Sequence, residues 1–330
     1  MSDHSNIEWT DASWNPIRAR NLKTGKIGWH CEHATTGCEF CYAEGFNLRL
    51  GTGLPFKPGH RKDVEIFLSE EMLTLPLRWK RPRKIFVGSM TDLFADFVTD
   101  EWLDKLFAVM ALCPQHTFQV LTKRAARMRD YLTAALKGQR PIASAAIELR
   151  GSIIGGIQAL SAWFDHDHDN PRPMANVWLG VSCERQDEAD ERIPLLLQTP
   201  AAIRFISAEP LLGPVDIDCS NVDWMQYPEG NGIVGYHLKI DWVICGGESG
   251  PHARPMHPQW ARDIRDRCRQ ADIPFFFKQW GEWSPTGSGD HPVTVVGEGL
   301  DRYQLIRLGK KAAGRLLDGR TWDEFPKVAA

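Results

Sequence analysis

No apolar run in this 330-residue chain approaches the roughly 18–20 residues that a membrane-spanning helix requires. The N-terminus, Met1-Ser2-Asp3-His4-Ser5-Asn6, is polar and precedes no apolar h-region, so no secretory signal is expected and a cytosolic location follows by default. There is no G-x-G-x-x-G or P-loop glycine motif of the nucleotide-binding kind, and no internal repeat. Neither sign of charge dominates: 39 Lys and Arg stand against 42 Asp and Glu, a formal net charge of −3. That balance excludes a global basic field for non-specific nucleic-acid binding, while leaving room for a local basic patch or a small-molecule substrate. A second Cys-x2-Cys pair is also missing, which weighs on the metal chemistry discussed below.

What is present is the composition of a globular protein, 43% hydrophobic and 25% charged, with ample length for a core. Of eight cysteines, Cys31, Cys38 and Cys41 fall within eleven residues. In a reducing compartment such a cluster points to metal or redox chemistry rather than disulfides. Cys113, Cys183, Cys219, Cys245 and Cys268 are scattered and read as small buried hydrophobes.

Short apolar runs, each ending in a polar turn, alternate with helix-like stretches. Ile85 to Ser89 precedes an amphipathic segment from Asp100 to Leu112, Thr117 to Thr122 precedes Ala125 to Leu136, and Val177 to Ser182 precedes Glu184 to Gln198. Ile203 to Ser207 and Trp242 to Cys245 follow, then a helix from Pro258 to Ala271, with Pro258 suited to a first turn, and finally Pro274 to Lys278. The runs lack strict alternation, as expected of parallel strands covered on both faces. With one more strand near Ile7 to Ile17, the pattern predicts an α/β fold, a partial or full (β/α) barrel of parallel strands, with an open doubly wound sheet as the alternative. The barrel is expected over residues 1–283, with an inserted segment at about 137–175 that contains Asp165-His166-Asp167-His168-Asp169, read as a solvated loop. Residues 284–330 form an added C-terminal segment, with a helix expected over Gly309 to Leu317.

In a parallel barrel the carboxyl ends of the strands converge on one rim, where such enzymes keep their chemistry. Those ends carry Ser89, Thr91 and Asp92; Thr122, Lys123 and Arg124; Ser182 and Glu184; Ser207 and Glu209; Gly246 to Ser249, including Glu248; and Lys278, Gln279 and Trp280. Hydroxyls and both signs of charge on six strand ends point to a shared polar pocket.

The cysteine spacing is Cys-x6-Cys-x2-Cys, directly after the first expected strand, so its loop faces that rim. Three thiolates can hold three irons of a [4Fe–4S] cluster and leave the fourth open. A structural zinc site wants four closed ligands, and His30 or His33 could complete a Cys3His set, so spacing alone leaves zinc open.

Ile7-Glu8-Trp9-Thr10-Asp11-Ala12-Ser13-Trp14-Asn15-Pro16, followed by Gly37-Cys38-Glu39-Phe40-Cys41-Tyr42-Ala43-Glu44, resembles the bacteriophage-associated three-Cys-motif family of unassigned function. Val177 to Ser182, Phe205 to Gly213, Gly246 to Met256 and Phe275 to Trp283 resemble the same family. That family is similar to radical S-adenosylmethionine (SAM) enzymes, although their usual triplet is Cys-x3-Cys-x2-Cys and the segment Ala19 to Gly28 is long. The resemblance implies that Cys31, Cys38 and Cys41 ligate a [4Fe–4S] cluster whose open iron is chelated by SAM, and that a 5′-deoxyadenosyl radical attacks the substrate. It implies Phe40 against the adenine, Ser89, Thr91 and Asp92 near the methionyl ammonium, and Ser182 and Glu184 near the ribose and carboxylate. Glu209 and Glu248 complete the cofactor-binding rim, and Cys183 and Cys245 are candidate hydrogen-atom donors. The phage association suggests a nucleobase, nucleoside or nucleic-acid lesion as substrate, contacted by Lys123, Arg124 and Lys278, with Arg254, Arg262, Arg265 and Arg269 as further phosphate contacts. Implied partners are an external one-electron reductant of flavodoxin or ferredoxin type and a family-associated protein. Two other functions compete: a zinc-stabilised nucleic-acid or partner-binding protein without catalysis, and a barrel hydrolase or lyase using Asp92, Glu209 and Glu248.

Overall fold

The computed structural model describes residues 5–151, 172–217, 222–229, 232–285, 291–299 and 302–327, the side chains of 222–238 excepted. Seven strands form the central sheet: β1 (Ala12–Trp14), β2 (Lys84–Val87), β3 (Thr117–Thr122), β4 (Val177–Ser182), β5 (Ile203–Ala208), β6 (Trp242–Gly246) and β7 (Phe275–Gln279). Their order in the sheet is their order in the chain, and every neighbouring pair is parallel. Right-handed crossovers that never reverse direction place all connecting helices on one face. The other face can then be covered only by curling the sheet upon itself. A doubly wound sheet would need a reversal in strand order, and there is none. Among the described residues β1 and β7 do not pair, so the fold is a partial (β/α) barrel.

Among the described residues the longer helices are α1 (Tyr42–Leu50), α2 (Asp100–Ala111), α3 (Ala125–Leu136), α4 (Ile142–Arg150), α5 (Gln186–Leu197) and α6 (Pro258–Gln270). The Thr99 hydroxyl caps α2 by accepting from Trp102 N at 3.3 Å, and Pro258 occupies the first turn of α6 as its sequence position predicts. No helix among the described residues is long and apolar enough to cross a membrane.

Strand alternation divides the core in two. Ile85, Val87, Phe118, Val120, Val177, Leu179 and Val243 face the helices. Phe86, Trp178, Phe205, Trp242 and Phe276 face inward, with Trp9 packed among them. Large rings fill the lower part of the curled sheet, and the smaller polar residues at the strand ends leave space above them.

Several elements lie outside the barrel. Ile17–Asn21 pairs antiparallel with Ile27–Gly28 and Val64–Leu68, so the long segment before the cysteines is a ribbon. Residues 222–229 and 232–238 form a hairpin. The first strand is shorter than expected, only Ala12–Trp14. In the insertion, α4 packs on α2, and Arg140 holds the buried Asp104 through Nε (3.0 Å) and Nη2 (2.6 Å). The Asp165–Asp169 run lies outside the described residues.

The C-terminal segment is not the helix expected over 309–317, since only Lys310–Ala313 is helical. It is a three-stranded antiparallel sheet (Trp283–Ser284, Val293–Val296 and Tyr303–Arg307) with a trailing arm. The arm lies along the free edge of β7, where Phe277 N donates to Trp322 O at 2.9 Å, and Phe325 closes the aromatic interior 5.1 Å from the Trp242 ring. A covered edge and a plugged barrel bottom are what this segment provides.

Candidate functional site

The three-cysteine loop runs from the ribbon to α1. Its start is fixed by Asn47 of α1, whose side chain is fully buried. Asn47 Oδ1 accepts from Trp29 N (3.0 Å) and Thr52 N (3.1 Å), and its Nδ2 donates to Thr52 Oγ1 (2.8 Å) and Leu54 O (2.9 Å). All four hydrogen-bonding positions are used, so Asn47 acts as a peg for the loop. At the far end, Cys41 is the residue from which α1 starts.

Cys31, Cys38 and Cys41 line one cavity of about 130 Å³ at the ends of β2 and β3. A second cavity, of about 210 Å³, occupies the mouth of the curled sheet above Trp9 and Phe86. The two share Cys41, Phe86, Ser89, Leu121, Lys123 and Ser182, so the thiols and the mouth have a common wall. All three thiols are free. Burial pushes the Cys31 thiol up to about 12 and raises Cys41 as well. Such thiols stay protonated near neutrality unless a strong cationic partner is bound. Burial lowers Lys123, and negative charge on Cys38 and Cys41 would raise it again.

Each of the two histidines that could complete a zinc site pairs with a carboxylate through Nε2. His30 Nε2 lies 3.3 Å from Glu32 Oε1, and His33 Nε2 lies 2.9 Å from Glu44 Oε2. Among the described residues, no three His, Cys, Asp or Glu side chains converge on a position for one metal ion. The donor set is three thiols around a cavity. That set fits a multinuclear group spanning them better than a single tetrahedral ion, whose ligands must all lie about 2.0–2.3 Å from one point.

The charged strand-end residues fall into two groups. One group holds the frame. Asp92 accepts from Phe94 N (2.9 Å) and Thr122 Oγ1 (2.7 Å) on one oxygen, and from Lys123 N (2.9 Å) and Arg124 Nη1 (2.9 Å) on the other. Its carboxylate is saturated, and Arg124 is further spent on Glu32 O at 3.0 Å. Thr91 Oγ1 donates to His30 O at 2.9 Å. Glu184 is fully buried and lines neither cavity; it is paired with Lys123 and with Arg192 Nη1 at 3.2 Å. It forms the seat of the cysteine loop, because a Cβ on Gly37 would lie 2.6 Å from its Oε1. Glu248 accepts from Arg254 N (2.8 Å), Nε (2.9 Å) and Nη2 (2.6 Å). Arg254 in turn reaches Thr36 O (3.1 Å) and Glu39 (3.3 Å) and lies 5.0 Å from the Phe40 ring centre, so it clamps the cysteine loop to the loop after β6.

The second group faces the mouth. Ser89, Ser182, Ser207, Glu209, Lys278 and Gln279 line the larger cavity. Lys278 Nζ lies 3.1 Å from Glu209 Oε1, and Ser207 Oγ donates to Glu209 Oε2 at 3.3 Å. Phe40 lines the same cavity, its ring 5.6 Å from His252.

These placements sort the residues expected from sequence. Cys183 and Cys245 are fully buried in the core under the helices and line neither cavity, because alternation turns them away from Ser182 and the barrel interior. Thr91, Asp92 and Arg124 line the cysteine cavity with their polar groups already engaged by protein partners, Glu248 lines the mouth while held by Arg254, and Glu184 lies behind the cavity walls. Arg262 and Arg265 bind Asp318, and Arg269 lies 6.0 Å from the Trp322 ring, so this face of α6 holds the C-terminal arm rather than a phosphate. Of the three carboxylates an acid–base mechanism would use, Asp92 and Glu248 are committed and only Glu209 is presented beside a lysine. Reasoning from sequence missed Ile7 and Trp9 on the cavity wall, Arg192 beneath Glu184, and Tyr42, whose hydroxyl donates to Ser89 O at 3.1 Å. Arg192 sits among buried positions of α5, and a basic residue there was its one legible signal.

A family model described as a protein of unknown function (DUF5131) matches residues 4–326, and the chain therefore belongs to that family. No curated protein matches it. Two solved structures show slight likeness. One is a cysteine-to-serine mutant of spore photoproduct lyase, at 12% identity and TM-score 0.31 over 82% of this chain and 75% of that one. The other is a tyrosine-to-phenylalanine mutant of spore photoproduct lyase, at 12% identity and TM-score 0.29 over 77% and 71%. Likeness of this size carries no argument about chemistry.

Proposed function

We propose that this DUF5131 member is a radical SAM enzyme, with Cys31, Cys38 and Cys41 as ligands of a [4Fe–4S] cluster and the barrel mouth as the site of SAM and substrate. One observation carries the reading: three free thiols line one cavity that shares a wall with a larger polar pocket at the strand ends. Bound there, the cluster and SAM would supply one-electron cleavage chemistry, which belongs to the cofactors.

The chain's own contribution is binding, orientation and exclusion of water. Lys123 places a positive charge against the thiolate side of the shared wall, where it offsets the negative charge of the liganded cysteines. Ser89 and Ser182 offer hydroxyls on that wall. Glu209 and Lys278 present an adjacent acceptor and donor across the mouth, suited to the ammonium and carboxylate of an amino acid moiety. Phe40 offers a ring face to a base. The aromatic floor of Trp9 and Phe86 keeps bulk water from below. A nucleobase, nucleoside or nucleic-acid lesion remains the proposed substrate class.

The test is anaerobic reconstitution with iron and sulfide, followed by dithionite and SAM. Formation of 5′-deoxyadenosine by the wild type, and its loss in Cys38→Ala, supports the reading. A reconstituted iron protein that leaves SAM intact contradicts it.

A further inference from the structure

Among the described residues ten large hydrophobic side chains are exposed, and six of them (Leu22, Ile27, Tyr42, Phe46, Leu48 and Leu50) lie in a single stretch of chain around the cysteine loop. Tyr42, Phe46 and Leu50 recur every four residues along α1, so they form one stripe on its surface. Leu50 is 68% exposed and Ile27 47%. The stripe and the ribbon belong to one surface. The Phe46 ring lies 5.9 Å from Trp29, which Arg18 of the ribbon covers at 4.6 Å, and Leu22 N donates to Asp63 O at 3.0 Å.

This apolar strip has a basic rim. Residues 17–63 contain eight Lys or Arg and four Asp or Glu, a net of +4 within a chain of net charge −3. All four acids are paired, Glu32 with His30, Glu44 with His33, Asp63 with His60 and Glu39 with Arg254, and of the eight bases Arg20 pairs with Glu65 and Arg61 with Asp96. Lys23, Lys26, Arg49, Lys57 and Lys62 are exposed.

An apolar strip within a basic rim calls for a protein whose own surface is acidic around an apolar centre. A nucleic acid fits poorly, because phosphate interfaces are polar throughout and aliphatic side chains such as Leu48 and Leu50 have nothing to meet there. A second copy docked face to face would bring two +4 surfaces together. Location narrows the partner further. Cys41 caps helix α1, which rises about 1.5 Å per residue, so the whole stripe lies within roughly 14 Å of that ligand along the axis.

We infer that this α1–ribbon face docks a small acidic one-electron carrier protein that reduces the cysteine-bound group; the inference rests on the radical SAM reading above. One electron leaves the carrier's reduced flavin, which becomes its semiquinone, and enters the group held by Cys31, Cys38 and Cys41.

The probe is a purified acidic flavodoxin. Its binding to the reconstituted protein is followed by the change in intrinsic tryptophan fluorescence at low and high salt, and SAM cleavage is measured in parallel with flavodoxin hydroquinone and with dithionite as reductant. Leu50→Asp, and separately the double variant Lys23→Glu with Lys26→Glu, are expected to weaken binding at least tenfold and to lower flavodoxin-driven cleavage in proportion. Dithionite-driven cleavage should be unchanged in both. Wild-type binding should weaken as salt screens the rim. Absence of binding, binding that neither variant weakens, or a concentration-dependent dimer abolished by Leu50→Asp would each overturn the docking assignment. Loss of dithionite-driven cleavage in the wild type would instead overturn the function on which it rests, while the binding measurement still reports on the surface.

Discussion

Gly37→Ala isolates the seat of the cysteine loop. An added Cβ would lie 2.6 Å from Glu184 Oε1, 2.7 Å from its Cγ and 2.8 Å from its Cδ. Ordinary carbon contacts lie at about 3.5–4.0 Å, so the two groups must separate by most of an ångström. Glu184 cannot yield, since it is fully buried and gripped by Lys123 and Arg192. The loop therefore moves, carrying Cys38, the next residue. Overpacking of this kind costs about 1–3 kcal/mol, and the shifted ligand should lower iron retention. Gly45→Ala is the matched control: it lies in α1, where an added Cβ would meet nothing within 4 Å, and Gly to Ala within a helix should stabilise by about 0.5–1 kcal/mol. Thermal melts of both apo variants and iron content after reconstitution form the assay. Gly37→Ala matching the wild type in melting temperature and iron content would refute the packing of the loop on Glu184.

Other substitutions probe the frame and the pH response. Arg192→Met leaves Glu184 buried with one fewer partner and should cost about 3–5 kcal/mol, measured by urea unfolding. Asp92→Asn breaks a saturated carboxylate and should lower stability by about 1–3 kcal/mol, without changing SAM affinity beyond what the lost stability explains; a selective loss of SAM binding would return Asp92 to the cofactor site. His116 is buried at the start of β3, and burial holds it below its ordinary value of 6.5. The neutral ring is the native form, so its contribution is present above pH 6.5 and is lost as pH falls through the lowered value. His116→Phe should therefore flatten the decline of stability on acidification below pH 6.5 in urea titrations, and an unchanged slope would exclude His116 as its source.

The barrel was legible because buried parallel strands give continuous apolar runs such as Val177–Ser182, and because the helices between them are strongly amphipathic. The polar rim was legible for the same reason: each run ends where its backbone leaves the sheet. What sequence could not convey was which rim residues are already satisfied. Asp92 is completed by groups thirty residues away, and Arg254 meets Thr36 across more than two hundred. The inward or outward direction of Cys183 was available in principle, since it neighbours the cavity-lining Ser182 on a strand of period two. The ribbon at 17–28 and the sheet at 283–307 escaped notice because short antiparallel strands outside a core carry little hydrophobic pattern. The α1 stripe escaped for the opposite reason, as an apolar helix face reads as core until its exposure is known.

The most direct test of the central claim is the metal content of the anaerobically reconstituted chain, read with its electron paramagnetic resonance spectrum after reduction, before and after addition of SAM. The cluster assignment predicts about four irons and four labile sulfides per chain, lost in Cys31→Ala, Cys38→Ala and Cys41→Ala, with a signal that SAM perturbs. A colourless protein with about one zinc per chain and no iron would contradict it.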